Sequence, residues 1–365
     1  LDGVPIELVN PNKLNKDGTI TLDFDYPSRS GKYLAYGLSE GGNEMATLYI
    51  KNVETGKDLE DKIERCRYSK VSWLPDDSGF FYTRNPQLNE VPKNEEHLHT
   101  KVYLHKLGDE PVNDEFIFGQ NRDDMIGIKL SLDGRYLAIS VAQTWLKNDL
   151  LIYNTASKDT IPLVVGKEAQ FNIHFGESLI LIHTNLGNNN CRVYSLDLEN
   201  LFKPIEEWIE LIFPSEFKLE HIRLIKSRII GVYLENAVSR AKIFDFSGKL
   251  TQVVEADLYA NFGGLNSNRE EEEFFYSLDS FIFPKIAYRF DPNLNKSIEY
   301  RRTDNPINPD DYVVKQEWFE SKDGIKVPMF ILHKKNIVLD NSNPTVIYGY
   351  GGFGNNNPPS FMRGW

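Results

Sequence analysis

Hydrophobic and polar positions in this chain recur as a unit. Its first half is a turn, often with Asp, Ser or Gly, followed by an alternating strand; its second half is a strand rich in Tyr, Ile and Val that ends in a polar turn. First halves fall at residues 30–36, 77–83 and 133–139, with weaker copies at 176–182, 227–233 and 272–277. Second halves fall at 46–50, 101–104, 149–153, 191–195, 241–245 and 285–289. About six copies at a spacing of roughly 40 to 55 residues match the period of propeller blades, each a four-stranded antiparallel meander. A single blade cannot bury both faces, so neighbours must stack. A β-sandwich of many short strands is the alternative, but it does not require such a register of repeats.

Interruptions are few. Residues 1–18 form a stub that ends in the turn-like Asn15-Lys16-Asp17-Gly18. Leu201 to Leu211 has apolar residues near helical spacing and reads as a short helix or an inter-strand loop. The acidic run Glu270-Glu271-Glu272-Glu273 reads as a solvated turn between strands. The repeat ends after about residue 310. Gln316-Glu317-Trp318-Phe319, the turn Ser321-Lys322-Asp323-Gly324 and the strand from Ile325 to Lys335 predict a hairpin. A polar loop then leads to Thr345-Val346-Ile347, a buried strand suited to a sheet covered on both faces, followed by a loop with glycines at 349, 351, 352 and 354.

Composition narrows the function classes. An aromatic content of 12% favours β-rich structure. A net charge of -12 with no Lys/Arg stripe argues against a nucleic-acid partner. The two cysteines, Cys66 and Cys191, exclude CxxC metal or redox motifs and fit a reducing cytoplasm. No apolar run approaches the roughly 18 residues of a membrane-spanning helix. A start at Leu1-Asp2-Gly3 and an end at Gly364-Trp365 predict a fragment of a longer protein.

Candidate chemistry is sparse until the end of the chain. Gly349-Tyr350-Gly351-Gly352-Phe353-Gly354 matches G-x-G-x-x-G, but Asn355-Asn356-Asn357-Pro358-Pro359 cannot open the helix a dinucleotide site requires. Gly37-Leu38-Ser39-Glu40-Gly41 matches G-x-S-x-G, yet it sits in a repeat and reads as a hairpin tip with an ordinary turn serine. His97 and His99 would share a face on a strand, with no third ligand evident, so no metal and no cofactor is expected. None of the seven histidines has a recognisable Asp and Ser context. The remaining reading of the terminal stretch is an oxyanion hole, in which a tyrosine hydroxyl, from Tyr348 or Tyr350, replaces one backbone amide as donor. Two core aromatics beside a glycine turn would explain the same letters.

Residues 321–331 together with Tyr348-Gly349-Tyr350-Gly351-Gly352-Phe353 resemble the prolyl oligopeptidase family of serine peptidases. Ser280-Phe281-Ile282-Phe283-Pro284 resembles that family's last blade. The resemblance implies a seven-bladed β-propeller, with a truncated first blade and about six full blades over residues 1–312, followed by the first strands of an α/β-hydrolase domain over 313–365. It implies that Tyr350 is the oxyanion-hole donor and that Phe353 lines the pocket for the substrate proline. Phe81 and Met125 resemble the propeller residues that face the substrate. The implied activity is cleavage of short peptides after proline by a cytoplasmic monomer that has neither a nucleic-acid nor a membrane partner, with the propeller gating access. In that family Ser, Asp and His follow the oxyanion tyrosine, so this chain is expected to lack all three and to be inactive alone. The alternative is a propeller binding module without catalysis.

Overall fold

The computed structural model describes residues 3–362 apart from 121–124, 255, 257–258, 268–270 and 353–354. The chain is mainly β and contains six four-stranded antiparallel sheets, the blades of a β-propeller, followed by a two-stranded hairpin. Blade one is β1 (Ile20–Pro27), β2 (Tyr33–Glu40), β3 (Thr47–Asn52) and β4 (Asp58–Ile63). Blade two is β5 (Val71–Trp73), β6 (Gly79–Arg84), β7 (Lys101–Lys106) and β8 (Glu115–Phe118). Blade three is β9 (Met125–Leu130), β10 (Tyr136–Thr144), β11 (Lys147–Asn154) and β12 (Thr160–Val164). Blade four is β13 (Phe171–Phe175), β14 (Leu179–Thr184), β15 (Arg192–Asp197) and β16 (Ile209–Ile212). Blade five is β17 (Lys218–Ile225), β18 (Arg228–Glu235), β19 (Val238–Asp245) and β20 (Leu250–Val254). Blade six is β21 (Asn261–Asn266), β22 (Phe274–Ser280), β23 (Phe283–Asp291) and β24 (Lys296–Arg302). The hairpin is β25 (Tyr312–Glu320) and β26 (Lys326–Lys334). Two compact units divide the chain: Leu1–Leu181 with Leu196–Glu207, and Ile182–Ser195 with Trp208–Trp365.

Every repeat half read from the sequence is one of the two central strands of a blade. Central strands are covered on both faces, and that produces the dense apolar runs: Gly79–Thr83 in β6 and Ile180–Thr184 in β14 are buried throughout.

Several expectations change. The six full blades expected are present among the described residues, but no strand of a seventh is, and the segment before β1 forms only the helical turn Pro11–Leu14, capped by the Asn10 side chain on the Asn12 amide. The stretch from Leu201 to Leu211 is a 3-10 turn at Ile205–Glu207 followed by β16, with Trp208 and Ile212 buried and Ile209 exposed. Ser39 is a buried strand residue paired with Thr21, and the turn comes after it at Gly41 and Gly42, both at positive φ. No helix follows it, so it cannot be a nucleophile elbow. The 321–324 hairpin forms as predicted, with the Gly324 amide donating to the Ser321 carbonyl. Residues 345–350 do not form the expected buried strand: they pair with no strand, and Ile347 is 93% exposed. A β-branched run becomes a strand only where a sheet edge receives it, and β25 and β26 pair only with one another among the described residues. The expected start of an α/β-hydrolase domain is therefore not seen as such. Among the described residues no helix is long and apolar enough to cross a membrane.

In the first unit the blades lock through polar side chains as well as packing. Trp73 Nε1 donates to the Tyr26 carbonyl at 2.9 Å, and Ser28 Oγ donates to Asp77 Oδ2 at 3.0 Å. Deeper in, His105 Nδ1 bonds Asp114 Oδ1 at 2.7 Å and Nε2 bonds Asp61 Oδ1 at 3.0 Å. Tyr82 hydroxyl donates to Asp114 Oδ2 at 2.6 Å, and the Gly108 amide donates to Asp61 Oδ1 at 2.7 Å. The three charged side chains are almost fully buried. Burial alone would favour the neutral ring, but the bonds to Asp114 and Asp61 outweigh it and hold His105 at about 9, an imidazolium between two carboxylates. Burial likewise works against ionised Asp61, and the bonds from His105 and Gly108 prevail to lower it.

His105 ionises in the unfolded chain near pH 6.5. Its contribution is therefore complete below about pH 6.5 and is lost as pH rises through about 9. His105→Gln should lower the unfolding free energy by about 3 kcal/mol near neutral pH, with the gap to the parent narrowing as pH passes 9. Denaturant melts at several pH values measure this, and a constant gap would remove the imidazolium from the account. In the second unit Gly248 has φ of 82°, and an added Cβ would lie 1.9 Å from the Leu211 carbonyl oxygen. Gly248→Ala should cost about 2 kcal/mol in the same measurement.

Candidate functional site

In a four-stranded meander, the connection between the two central strands and the link to the next blade leave from one end. The other two turns leave from the opposite end. Hydrogen bonds tie both ends together in the first unit. At the end with the central connections, the Cys66 amide donates to the Ala46 carbonyl and the Asn85 amide to the Arg65 carbonyl, each at 2.8 Å. At the opposite end, Arg29 Nη1 donates to the Leu132 carbonyl at 2.5 Å.

The first of these ends carries several of the unit's exposed apolar and aromatic residues. Met125 opens β9 opposite Ala142, with its side chain exposed, while the next residue, Ile126, enters the core. Trp145 and Leu146 form the exposed tip between β10 and β11. Tyr68, in the link from blade one to blade two, has φ of 49° and is 57% exposed. Arg67 stacks on its ring at 4.5 Å and pairs with Glu44 at 2.8 Å, and Glu44 in turn hydrogen-bonds the Tyr68 hydroxyl and raises its pKa. Tyr68 thus sits exposed in the left-handed region with Arg67 on its ring and Glu44 on its hydroxyl. No sequence pattern singled it out, because its strain appears only in φ.

The long connection of blade two, residues 85–100, is at this end too. Arg65 fastens it, donating from Nε to the Pro86 carbonyl at 2.8 Å and from Nη2 to the Glu96 carbonyl at 2.7 Å. His97 and His99 lie here rather than on a strand, and His99 Nε2 bonds Glu95 Oε2 at 2.8 Å, so the shared face considered for a metal pair does not form.

Phe81 is placed differently. It lies on β6 between Ser72 and Leu104 and is only 1% exposed. Its ring packs edge-on to Tyr153 at 6.4 Å in the core shared by blades two and three. It also lines a cavity of about 360 Å3 with Leu74, Pro75, Gly134, Thr155 and Lys158. Those turns belong to the opposite end of the sheets, so Phe81 and Met125 do not share a surface. Any contact of Phe81 with a ligand would be through that cavity.

In the second unit the corresponding end is covered by the last residues of the chain. The turn of blade five, Asn236–Ala237, has both residues at positive φ, and Gln316 Nε2 donates to the Asn236 carbonyl at 2.5 Å. Phe330 of β26 packs on Phe281 at 5.3 Å and Tyr259 at 5.4 Å. Further on, Asn356 Nδ2 donates to Glu220 Oε1 at 2.7 Å, and the Phe361 amide donates to the buried carboxylate of Asp279 at 3.4 Å. Between these anchors runs the segment with Tyr350, which is 48% exposed. Space around Gly349 and Gly351 is open, and neither they nor Gly352 adopt positive φ. Phe353 lies outside the described residues. Tyr350 is therefore a half-exposed residue in a segment that belongs to no strand.

Comparison with known proteins places this arrangement. The family described as "Prolyl oligopeptidase, N-terminal beta-propeller domain" matches residues 3–302. The prolyl endopeptidase of Elizabethkingia meningoseptica is 31% identical over 360 residues, covering 97% of this chain and 50% of that protein. Prolyl oligopeptidase A of Galerina marginata is 29% identical over 384 residues, covering 96% and 51%. A solved structure from a mechanistic analysis of two prolyl endopeptidases superposes with a TM-score of 0.92 at 29% identity, covering 98% of this chain and 53% of that one. Prolyl oligopeptidase B of Galerina marginata, bound to a 35mer hydrolysis and macrocyclization substrate, superposes at 0.87 with 25% identity, covering 97% and 52%. The chain spans about half the length of the curated relatives it matches. With a family match across all six blades, the chain belongs to the prolyl oligopeptidase family.

Proposed function

We propose that this chain is part of a serine endopeptidase that cleaves short peptides on the carboxyl side of proline. The observation that carries the reading is the match to the family's propeller over residues 3–302, supported by the relatives named as prolyl endopeptidases. In this reading residues 1–312 are the propeller and 313–365 begin an α/β-hydrolase domain. Tyr350 donates its hydroxyl to the oxyanion of the tetrahedral intermediate, where negative charge develops only in the transition state. Phe353 lines the proline pocket, and Met125 presents an apolar surface to the residues before it. Acyl transfer needs a nucleophile and a base that the family carries beyond the oxyanion tyrosine, so this chain alone does not turn over. The propeller restricts access to short, flexible peptides, and the enzyme works as a cytoplasmic monomer without a cofactor.

Hydrolysis of a blocked Gly-Pro fluorogenic amide, by this chain and by the complete gene product, tests the reading. The complete protein should be active and this chain inert. Tyr350→Phe should lower kcat by roughly ten- to a thousandfold while leaving the melting temperature in place, since the ring is half exposed. A folded complete protein that leaves the amide intact would sink the proline-specific assignment. Phe81→Ala should act on stability, costing about 3 to 5 kcal/mol. A change in KM at unchanged stability would instead make Phe81 a substrate contact.

A further inference from the structure

The cavity of about 360 Å3 beside Phe81 lies between two complete blades of one unit, at the end opposite the central connections. One wall is a row across blade two: Phe81 on β6 opposes Leu104 on β7, which opposes Glu115 on β8. Blade three supplies the other wall through Tyr153 on β11 and the turns around Gly134 and residues 155–158. The two blades nearly touch beside it, since a Cβ on Gly134 would lie 3.1 Å from the Pro75 ring, and Thr155 Oγ1 steadies that turn by donating to the Gly134 carbonyl at 2.8 Å.

Apolar residues make the floor and charged ones the rim. Asp76, Glu115 and Asp133 place three carboxylates there against the one ammonium of Lys158, which reaches across from blade three to Glu115 at 2.5 Å. Asp76 accepts from the Ser78 amide and hydroxyl, both on Oδ1, and pairs with no cation among the described residues. The bonds from Ser78 lower the pKa of Asp76, and at Asp133 the bonds from Ser131 and Arg135 lower it against burial, so both are ionised near neutral pH. Tyr153 is 5% exposed, its ring lies edge-on to Phe81, and its hydroxyl has no hydrogen-bond partner among the described residues. That hydroxyl keeps access to solvent and feels the charges of Glu115 and Lys158, which places it just below the rim. A nearly buried phenol without a partner, under an excess of carboxylates and beside an apolar floor, defines the chemistry of what would satisfy all three.

We infer that this cavity binds an organic cation with an apolar body: a primary ammonium joined to an aryl or alkyl group, as in a free amine or at the amino terminus of a peptide whose first residue is hydrophobic. The apolar body covers Leu74, Phe81 and Leu104, and the ammonium donates to Asp76 Oδ2, Glu115 and the Tyr153 hydroxyl oxygen. Lys158 competes with the ligand for Glu115 and keeps the affinity low. The inference stands on blades two and three alone and does not use the peptidase reading.

The test is calorimetric titration of the complete gene product with phenethylamine, Phe-Ala-amide, the N-acetyl derivative of each, and ethylamine. The first two should bind saturably. Acetylation removes the charge and ethylamine lacks the body, so the other three should bind at least about tenfold more weakly. Binding of phenethylamine alone assigns the site to free amines, and binding of Phe-Ala-amide alone assigns it to a chain terminus. Asp76→Asn should weaken binding by about tenfold, and Tyr153→Phe by about fivefold with the melting temperature unchanged, because the hydroxyl makes no bond within the protein. Lys158→Asn should tighten binding a few-fold, an opposite sign that mere loss of structure would not produce; asparagine tolerates the φ of 61° at that position. Equal binding of the acetylated probes or of ethylamine, no binding of either larger amine, or indifference to both Asp76→Asn and Tyr153→Phe overturns the inference.

Discussion

A four-stranded sheet has two faces, and in this molecule neither face of a blade can be left to solvent across its central strands. That constraint governs the rest. It turns β6 and β14 into nearly continuous buried runs, and it forces apolar residues onto both sides of strands that would otherwise alternate. It also explains why so much of the polar chemistry is structural. A polar group between two blades must find its partner there, as Trp73 does on the Tyr26 carbonyl and Ser28 on Asp77. The edge strand β24, by contrast, is exposed along its whole length.

The central strands were legible in the sequence for the same reason. Two-sided burial writes a signal that needs no alignment to see, so each repeat half became β2, β3 or an equivalent. The first and fourth strands of each blade were not read. The outer strands are short and half exposed, as in β8 and β16, and their patterns merge with the turns around them. Residues 201–211 failed in this way, since a four-residue strand after a 3-10 turn has too few periods to tell 2.0 from 3.6. Thr345-Val346-Ile347 failed differently. Its propensity is real, but a strand is a relation to a neighbour, and the letters do not contain the neighbour.

The site was less legible than the fold. Tyr350 was singled out by its motif alone, and the structure adds only that the residue is half exposed. Phe81 was found by a local likeness of letters, yet the two-sided burial of β6 turns its ring into the core. Tyr68 was missed because an ordinary tyrosine in sequence becomes unusual only through its backbone angle. His105 was missed because its two acids lie 44 residues before it and 9 after it, a spacing no local pattern links. Histidines were judged by their sequence neighbours, and the decisive neighbours of His105 arrive through folding.

That separation also bears on the order in which the polypeptide is made. Asp61 belongs to the last strand of blade one, while the groups that neutralise it, the His105 ring and the Gly108 amide, belong to blade two. As the chain emerges from the ribosome, blade one is complete in letters before either partner exists. Its face near β4 must stay hydrated around a bare carboxylate until β7 has been synthesised and folded against it. His105 waits only nine residues for Asp114, so the local half of the clasp is ready when the blade forms. The nascent propeller thus cannot seal one blade at a time; each closing step of this interface is deferred by the length of the next blade.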